Sequence, residues 1–332
     1  MPAVSSRQLV DAILDAFQSS GRSGVLLSPI REHPRKFVIT SQEDTSFGLW
    51  VYAWTLTHGG RPSLPNEFRI QMTTVNSPLL MNPSGYTVLV GYEPNMNVFG
   101  GFDLSRHATF SVGSPSVQID IRTLHEAIQD GIAFDRKSNQ EIAIGIRPDQ
   151  FVNYALNAVS LHKLGRQAQT LQLLAAASTM QTIPDVDLAS LNQDRQRIVR
   201  VVSRLSRLGC FRMQVLCAYE QRCAVTRTQL RLVDAAHILP VGTPGSIDDV
   251  RNGIALSPTY HRAYDNGLLF LDTKYNMRLN PAKEASLRAI SLVGGIVDFK
   301  ASLGRVHLPQ DKRQWPDRRF IEHANKVRGI AV

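Results

Sequence analysis

Apolar residues first recur at helical spacing. Leu9, Val10, Ile13, Leu14 and Phe17 line one face of a segment that Ser5 or Ser6 can cap and Gly21 can stop, which predicts an amphipathic helix. Strand-like runs follow: VLLSPI (25–30), KFVIT (36–40), FGLWVYAWTLT (47–57), FRIQMTTV (68–75), GYTVLVGY (85–92) and SVQIDI (116–121). Gly, Pro, Asn and Ser clusters separate them, as in an antiparallel or mixed sheet. A short helix over Arg122 to Gln129, the strand EIAIGI (141–146) and a helix from about Gln150 to Leu164 complete a unit spanning 1–165, with Gly165 as its stop. No internal repeat is present. Residues 166–195 read as a linker, with a weak helical piece, LQLLAAAS, and a break at Thr182 to Asp187 around Pro184. A second domain, 196–332, opens with a helix from about Gln196 to Gln221 whose apolar stripe is Ile198, Val201, Val202, Leu205 and Leu208. After it come a short β pair, a Gly/Pro loop, a helix from near Pro258 and a last helix started by Pro316-Asp317. The predicted class is α+β, with an N-terminal mixed α/β domain and a smaller C-terminal one.

Composition narrows the picture. With 332 residues, 43% of them hydrophobic, each half can bury its own core. No apolar run reaches the roughly 18–20 residues of a membrane helix. The first residues carry two acids and no apolar core, unlike a secretory signal. Cys210, Cys217 and Cys223 are an odd set in an otherwise cysteine-free chain. This argues against a disulfide framework and for a reducing cytoplasm. Charge is uneven: 13 Lys and Arg oppose 14 Asp and Glu up to Gly165, but 24 oppose 14 from Arg166 onward. A basic second half fits a polyanionic partner, and it also fits a merely solvated basic surface.

The segment richest in chemistry is CAVTRTQLRLVDAAHILPVGTPGSIDDVRNGIALSPTYHRAYDNGLLFLD, residues 223–272. A strand ends at His237 in AAHILP, a loop carries Gly242 and Gly245, Asn252 stands in RNGIAL, and His261 opens a helix in YHRAYD. Fifteen residues separate His237 from Asn252 and nine separate Asn252 from His261. In this order and spacing the segment resembles the HNH endonucleases, whose core is a ββα-metal finger. The resemblance covers about 70 residues, Phe211 to Asn280. It implies a C-terminal ββα-metal nuclease domain with His237 as the general base and Asn252 as the brace of the loop. Arg262 would contact the scissile phosphate. The chemistry agrees. Phosphodiester hydrolysis needs a base to activate water and a cation to stabilise charge on the leaving oxygen. His261 and Asp265 are four apart, so on a helix they share a face and can reach one divalent ion. The carboxylate favours Mg²⁺ or Mn²⁺, while the imidazole also accepts Zn²⁺ or Ni²⁺.

The sequence departs from the family pattern in two places. Many relatives place Asp or His directly before the base, where this chain has Ala236, so Asp265 or alternatively Asp234 must supply the carboxylate ligand. Relatives with a structural zinc carry paired CxxC knuckles. Here Thr226 and Ser257 stand at the partner positions, and the three cysteines read as core residues.

The first domain offers weaker signals. Trp50, Tyr52, Trp54 and Leu56 alternate and share one strand face, either a packed sheet face or a stacking platform for an extruded base. The Gly- and Asn-rich stretch from Tyr92 to Asp103 reads as a binding loop. Arg69 and Gln71 alternate on one strand, and these side chain types read guanine and adenine edges. The resemblance thus implies a cytoplasmic, divalent-metal-dependent endonuclease acting on double-stranded DNA, a restriction enzyme with an N-terminal recognition domain open to modified bases and with a homodimer as an option. Two alternatives stay open: a DNA-binding regulator with a non-catalytic finger, and a nuclease effector gated by a sensed ligand.

Overall fold

The computed structural model describes residues 4–40, 46–111, 113, 115–181, 183–230 and 232–330. Thr182, the first residue of the expected break at 182–187, and the side chains of Leu205 and Leu208 lie outside the described residues. The chain divides into two units, Met1–Gly209 and Cys210–Val332. Among the described residues no helix is long and apolar enough to cross a membrane.

The first unit opens with α1 (Ser6–Ser19), closed by a capping box in which Ser5 and Gln8 satisfy each other's backbone N–H groups. Then come β1 (Ser23–Leu26), β2 (Arg35–Thr40), β3 (Ser46–Thr55), β4 (Thr57–His58), β5 (Glu67–Gln71), β6 (Tyr86–Glu93), β7 (Val98–Phe102), α2 (Leu104–His107) and β8 (Ser116–Asp120). α3 (Ile121–Asp130), β9 (Ile132–Arg136), β10 (Ile142–Ile146), α4 (Phe151–Leu164), α5 (Ala168–Ser178), α6 (Asp185–Ala189) and α7 (Gln193–Ala218) follow. Seven strands form one mixed sheet in the order β1-β2-β3-β6-β7-β10-β9, antiparallel except for the β3–β6 pair. β4, β5 and β8 form a second, three-stranded sheet.

The period of two decides which side chains go where. Val51 and Ala53 of β3 join a core with Ile13 and Phe17 of α1, Phe151 of α4, and Ile198 and Val202 of α7. Tyr52 and Trp54 turn to the other face, into a core with Phe68 and Ile70 of β5, Ile119 of β8 and Leu124 of α3. The large sheet is therefore covered by helices on one face and by the small sheet and α3 on the other. That burial makes Tyr52, Trp54 and Leu56 a packed face, while Trp50 at the start of the stripe is only half-buried. The Tyr52 hydroxyl donates to Leu80 O at 3.0 Å, the Trp54 indole N–H donates to Thr73 O at 3.3 Å, and the His33 ring stacks on Trp54 at 4.4 Å.

Two segments differ from the sequence expectation. Tyr92 to Asp103, expected as a binding loop, is mostly a hairpin, and every residue of β7 is buried. Its glycines answer to packing: a Cβ on Gly101 would lie 2.4 Å from the Tyr154 ring, and one on Gly100 would lie 3.2 Å from Leu56. Residues 166–195, expected as a linker, hold α5 and α6, and Leu174, Ala177 and Leu191 are buried in the core of the first unit. The division after Gly209 falls inside α7.

The second unit contains β11 (Asp234–His237), β12 (Gly253–Leu256), α8 (Pro258–Asp265), β13 (Leu269–Leu271), β14 (Asn276–Leu279), α9 (Pro281–Ala289), α10 (Ile296–Ala301), β15 (Gly304–Arg305) and α11 (Arg318–Val327). β11 pairs with β12, and β13, β14 and β15 form a three-stranded sheet, all antiparallel. Phe211, Val215 and Tyr219 meet Ile238, Ile254, Leu256, Tyr260, Tyr264, Leu271 and Ile321 in a core separate from those of the first unit. Cys223 is buried in that core, Cys210 is half-buried and Cys217 is exposed.

Candidate active site

The site is built on β11, β12 and α8, the three elements that the segment 223–272 was expected to form. In the β11–β12 ladder His237 is opposite Gly253 and Asp234 is opposite Leu256. The absence of a side chain at position 253 matters. A Cβ there would lie 2.2 Å from Val215 Cγ2 and 3.1 Å from the Phe211 ring. Those two residues pack directly on the β12 backbone only because residue 253 is glycine. Phe211 in turn lies flat on the His237 imidazole, with ring centroids 3.8 Å apart and planes 14° apart.

Between the strands the chain runs through a loop in which Gly242 and Gly245 adopt φ of 86° and 85°, the left-handed region that glycine enters without steric cost. Asn252 holds this loop closed. It is fully buried, its carbonyl accepts from Leu239 N at 2.8 Å, and its amide donates to Ile247 O at 3.0 Å and to Leu239 O and Ser246 Oγ at 3.3 Å each. A buried amide with every polar atom satisfied is a rigid tie.

The tie sets the position of Asp248, whose Oδ1 lies 2.9 Å from His237 Nε2. A carboxylate only accepts, so Nε2 carries the hydrogen and the lone pair is left on Nδ1. Burial pushes the His237 imidazole below its usual range, and the Asp248 carboxylate only partly opposes that shift. The ring is therefore neutral at pH 7, the state a general base requires.

α8 starts with Pro258 in its first turn, where a missing N–H is harmless. Its buried Tyr260, Ala263 and Tyr264 fix the helix, and the i, i+4 spacing brings the opposite edge together. His261 Nε2 lies 3.3 Å from Asp265 Oδ2, while Nδ1 lies 3.4 Å from Asp234 Oδ2 on β11. Burial is the largest influence on His261 and pulls its proton affinity down, but Asp234 and Asp265 together overcome it and leave the imidazole above its usual range. Asp234 is also held by Arg212 at 3.3 Å. Although burial raises it, His261 and Arg212 keep its carboxyl below the usual range.

Among the described residues no group of three or more His, Cys, Asp or Glu side chains is arranged to hold a metal ion. His261 and Asp265 nevertheless fit one in chemistry. They are an imidazole nitrogen and a carboxylate oxygen, and the Asp265 side chain is 57% exposed. A hard divalent ion that keeps several waters and takes a phosphate oxygen needs only one or two protein ligands.

The structure thus gathers His237, Asn252, His261 and Asp265 in the second unit. Arg262, beside them on α8, is exposed and has no ion pair among the described residues. Arg69 and Gln71 belong to the first unit, on β5. They face away from the buried Phe68 and Ile70, with Arg69 opposite Gln118 and Gln71 opposite Ser116. Sequence reasoning missed Asp248, Phe211 and Arg212. Asp248 had a visible signal in the acid pair before VRNG, but no spacing rule predicts which loop acid turns back to a strand-end histidine.

Comparison with known proteins agrees with this geometry. Residues 223–272 match the HNH endonuclease family. Residues 47–155 match a second family, Methylase-associated X1. No curated protein matches the chain. Among solved structures, a modification-dependent TagI restriction endonuclease is 12% identical with a TM-score of 0.27, over 87% of this chain and 84% of that one. A likeness that loose carries no argument. HNH nucleases generally use a divalent metal ion. The β11–β12–α8 unit with its histidines, asparagine and carboxylates is the HNH endonuclease domain of this chain.

Proposed function

We propose that this chain is a cytoplasmic, divalent-metal-dependent restriction endonuclease of double-stranded DNA, whose second unit hydrolyses the phosphodiester and whose first unit selects the site. The observation that carries the reading is the state of His237. It is a neutral imidazole fixed from one side by Asp248 and stacked on Phe211, with its Nδ1 lone pair without a hydrogen-bond partner among the described residues. In this reading Nδ1 accepts the proton of the attacking water, and the positive charge that forms on the ring is balanced by Asp248. Asn252 keeps Asp248 in place by closing the loop. His261 and Asp265 would hold Mg²⁺ or Mn²⁺, with Asp234 behind His261. Such an ion, when bound, neutralises the charge that develops on the phosphate and leaving oxygen. Arg262, exposed on α8, would grip a neighbouring phosphate oxygen.

For the first unit, the match to a methylase-associated family supports selection that depends on the modification state of DNA. Arg69 and Gln71, on the outward face of β5, would read base edges. One such site hydrolyses one strand, so a double-strand cut takes two copies of the chain or two successive events.

Incubating the purified chain with Mg²⁺ or Mn²⁺ and with matched unmodified and modified DNA tests the whole reading. Cleavage of one substrate in preference to the other is expected, abolished by EDTA. The His237→Ala variant should lose about 10²–10⁴-fold in rate while still binding DNA. Full activity in that variant removes His237 from the reaction. Binding without any cleavage by the unaltered chain identifies a regulator instead.

A further inference from the structure

The two faces of α7 within the first unit differ sharply in character. Ile198, Val199, Val202 and Ser206 are buried on one side. On the other, Arg197, Arg200, Arg204 and Arg207 are all exposed, at spacings of three, four and three, so they form one row along the helix. None of the four has an ion pair or a side-chain hydrogen bond among the described residues. Several other exposed arginines of the chain are neutralised locally: Arg122 by Asp120, Arg251 by Asp249, Arg313 by Asp311 and Arg319 by Asp317. Between Gln193 and Ala218 the only acid is Asp194.

Like charges at these spacings destabilise a helix by a few tenths of a kcal/mol per pair. A purely structural helix has no use for four of them. The first unit as a whole carries 19 Lys and Arg against 17 Asp and Glu, so this row is where its small positive surplus is concentrated. The second unit carries 18 against 11. Arg197, Arg200 and Arg204 also line an open recess of about 660 Å³ with Gln193, Gln196 and Val201, so five of its six lining residues carry a guanidinium or an amide.

From Arg197 to Arg207 the row extends about 15 Å along the helix axis. A string of planar guanidinium forks at steps of about 5 Å suits an extended polyanion with an oxygen-bearing charge at each repeat. We propose that the arginine row of α7 is the surface on which the first unit holds the sugar–phosphate backbone of duplex DNA. This rests on the reading of the chain as a DNA endonuclease. It adds which surface outside the nuclease domain carries the substrate, and that the hold is independent of sequence.

The test uses the full-length chain in EDTA, so that DNA is bound and not cut, and follows a short fluorescent duplex by anisotropy through a salt titration. Replacing Arg197, Arg200, Arg204 and Arg207 together by Gln should make the plot of log affinity against log salt shallower by about 0.9 for each phosphate no longer neutralised. The same four positions changed to Lys should keep most of the slope, and both variants should melt no lower than the unaltered chain. With metal restored, the Gln variant should show a raised KM and an unchanged kcat. An unaltered salt slope in a Gln variant that folds and still binds overturns the proposal. So does loss of self-association with DNA binding intact, which would make the row an interface between copies. If the unaltered chain neither binds nor cuts duplex DNA, the endonuclease reading itself fails. If it cuts DNA and only the slope prediction fails, the arginine row alone is reassigned.

Discussion

In the proposed mechanism His237 is the base, and its surroundings make a prediction with a definite sign. Burial lowers its pKa and Asp248 raises it again in part. The neutral base therefore persists below the ordinary imidazole value of about 6.5. With metal saturating, the acid limb of the pH–rate profile should lie below that value. Asp248→Asn removes the opposing carboxylate, so the limb should move to still lower pH. The plateau should fall as well, because the ring loses its orienting partner, but by less than removal of the base. A limb that moves upward in Asp248→Asn would show that another group sets the profile. Asp265 makes a separate prediction. If its carboxylate contributes to holding the ion, Asp265→Asn should raise the Mg²⁺ concentration for half-maximal rate by about tenfold. A titration that does not change shifts that role to Asp234, the other carboxylate on His261.

At the scale of elements, the β11–β12 hairpin and the end of α7 form one packed device. Gly253 lets Val215 and Phe211 approach the β12 backbone, and Phe211 then supports the His237 ring. Gly253→Ala requires Val215 and Phe211 to move, an overpacking change that costs about 1–3 kcal/mol. Displacing Phe211 also frees the imidazole. The rate of DNA cleavage should therefore fall in a variant that is still folded at assay temperature, as judged by circular dichroism. A wild-type rate at reduced stability would limit Phe211 to packing. The β6–β7 hairpin gives the opposite lesson about glycine. Gly100 and Gly101 read as loop residues in the sequence, yet they lie in a buried strand because Leu56 and Tyr154 occupy the space of their missing side chains.

For the whole molecule, the division after Gly209 decides where the chain can be cut. A fragment beginning at Arg166 would strip Leu174, Ala177, Leu191, Ile198, Val199 and Val202 out of the first unit's core and expose them. A fragment of residues 210–332 keeps its own core together with His237, Asn252, His261 and Asp265. It should melt cooperatively and nick DNA without preference for modification state. Its salt dependence should be shallower than that of the full chain, because Arg197, Arg200, Arg204 and Arg207 are gone. An inactive but folded fragment would mean that the first unit contributes to cleavage itself.

Residues 223–272 declared their chemistry in one dimension because the nuclease elements are local. A strand end, a loop and a helix start follow one another, so histidine, asparagine and histidine at set spacing carry over directly to neighbours in space. The amphipathic period of α1, the strand runs of the first unit and the spacing of His261 and Asp265 were legible for the same reason. What the tertiary structure alone decided is long-range. Asp248 turns back on His237 only because Asn252 closes the loop from inside. Arg212 reaches Asp234 from 22 positions away. Within residues 166–195, Leu174, Ala177 and Leu191 join the first unit's core because the large sheet presents an apolar face for them to cover, and no periodicity within a short, weakly polar segment announces the surface that will receive it.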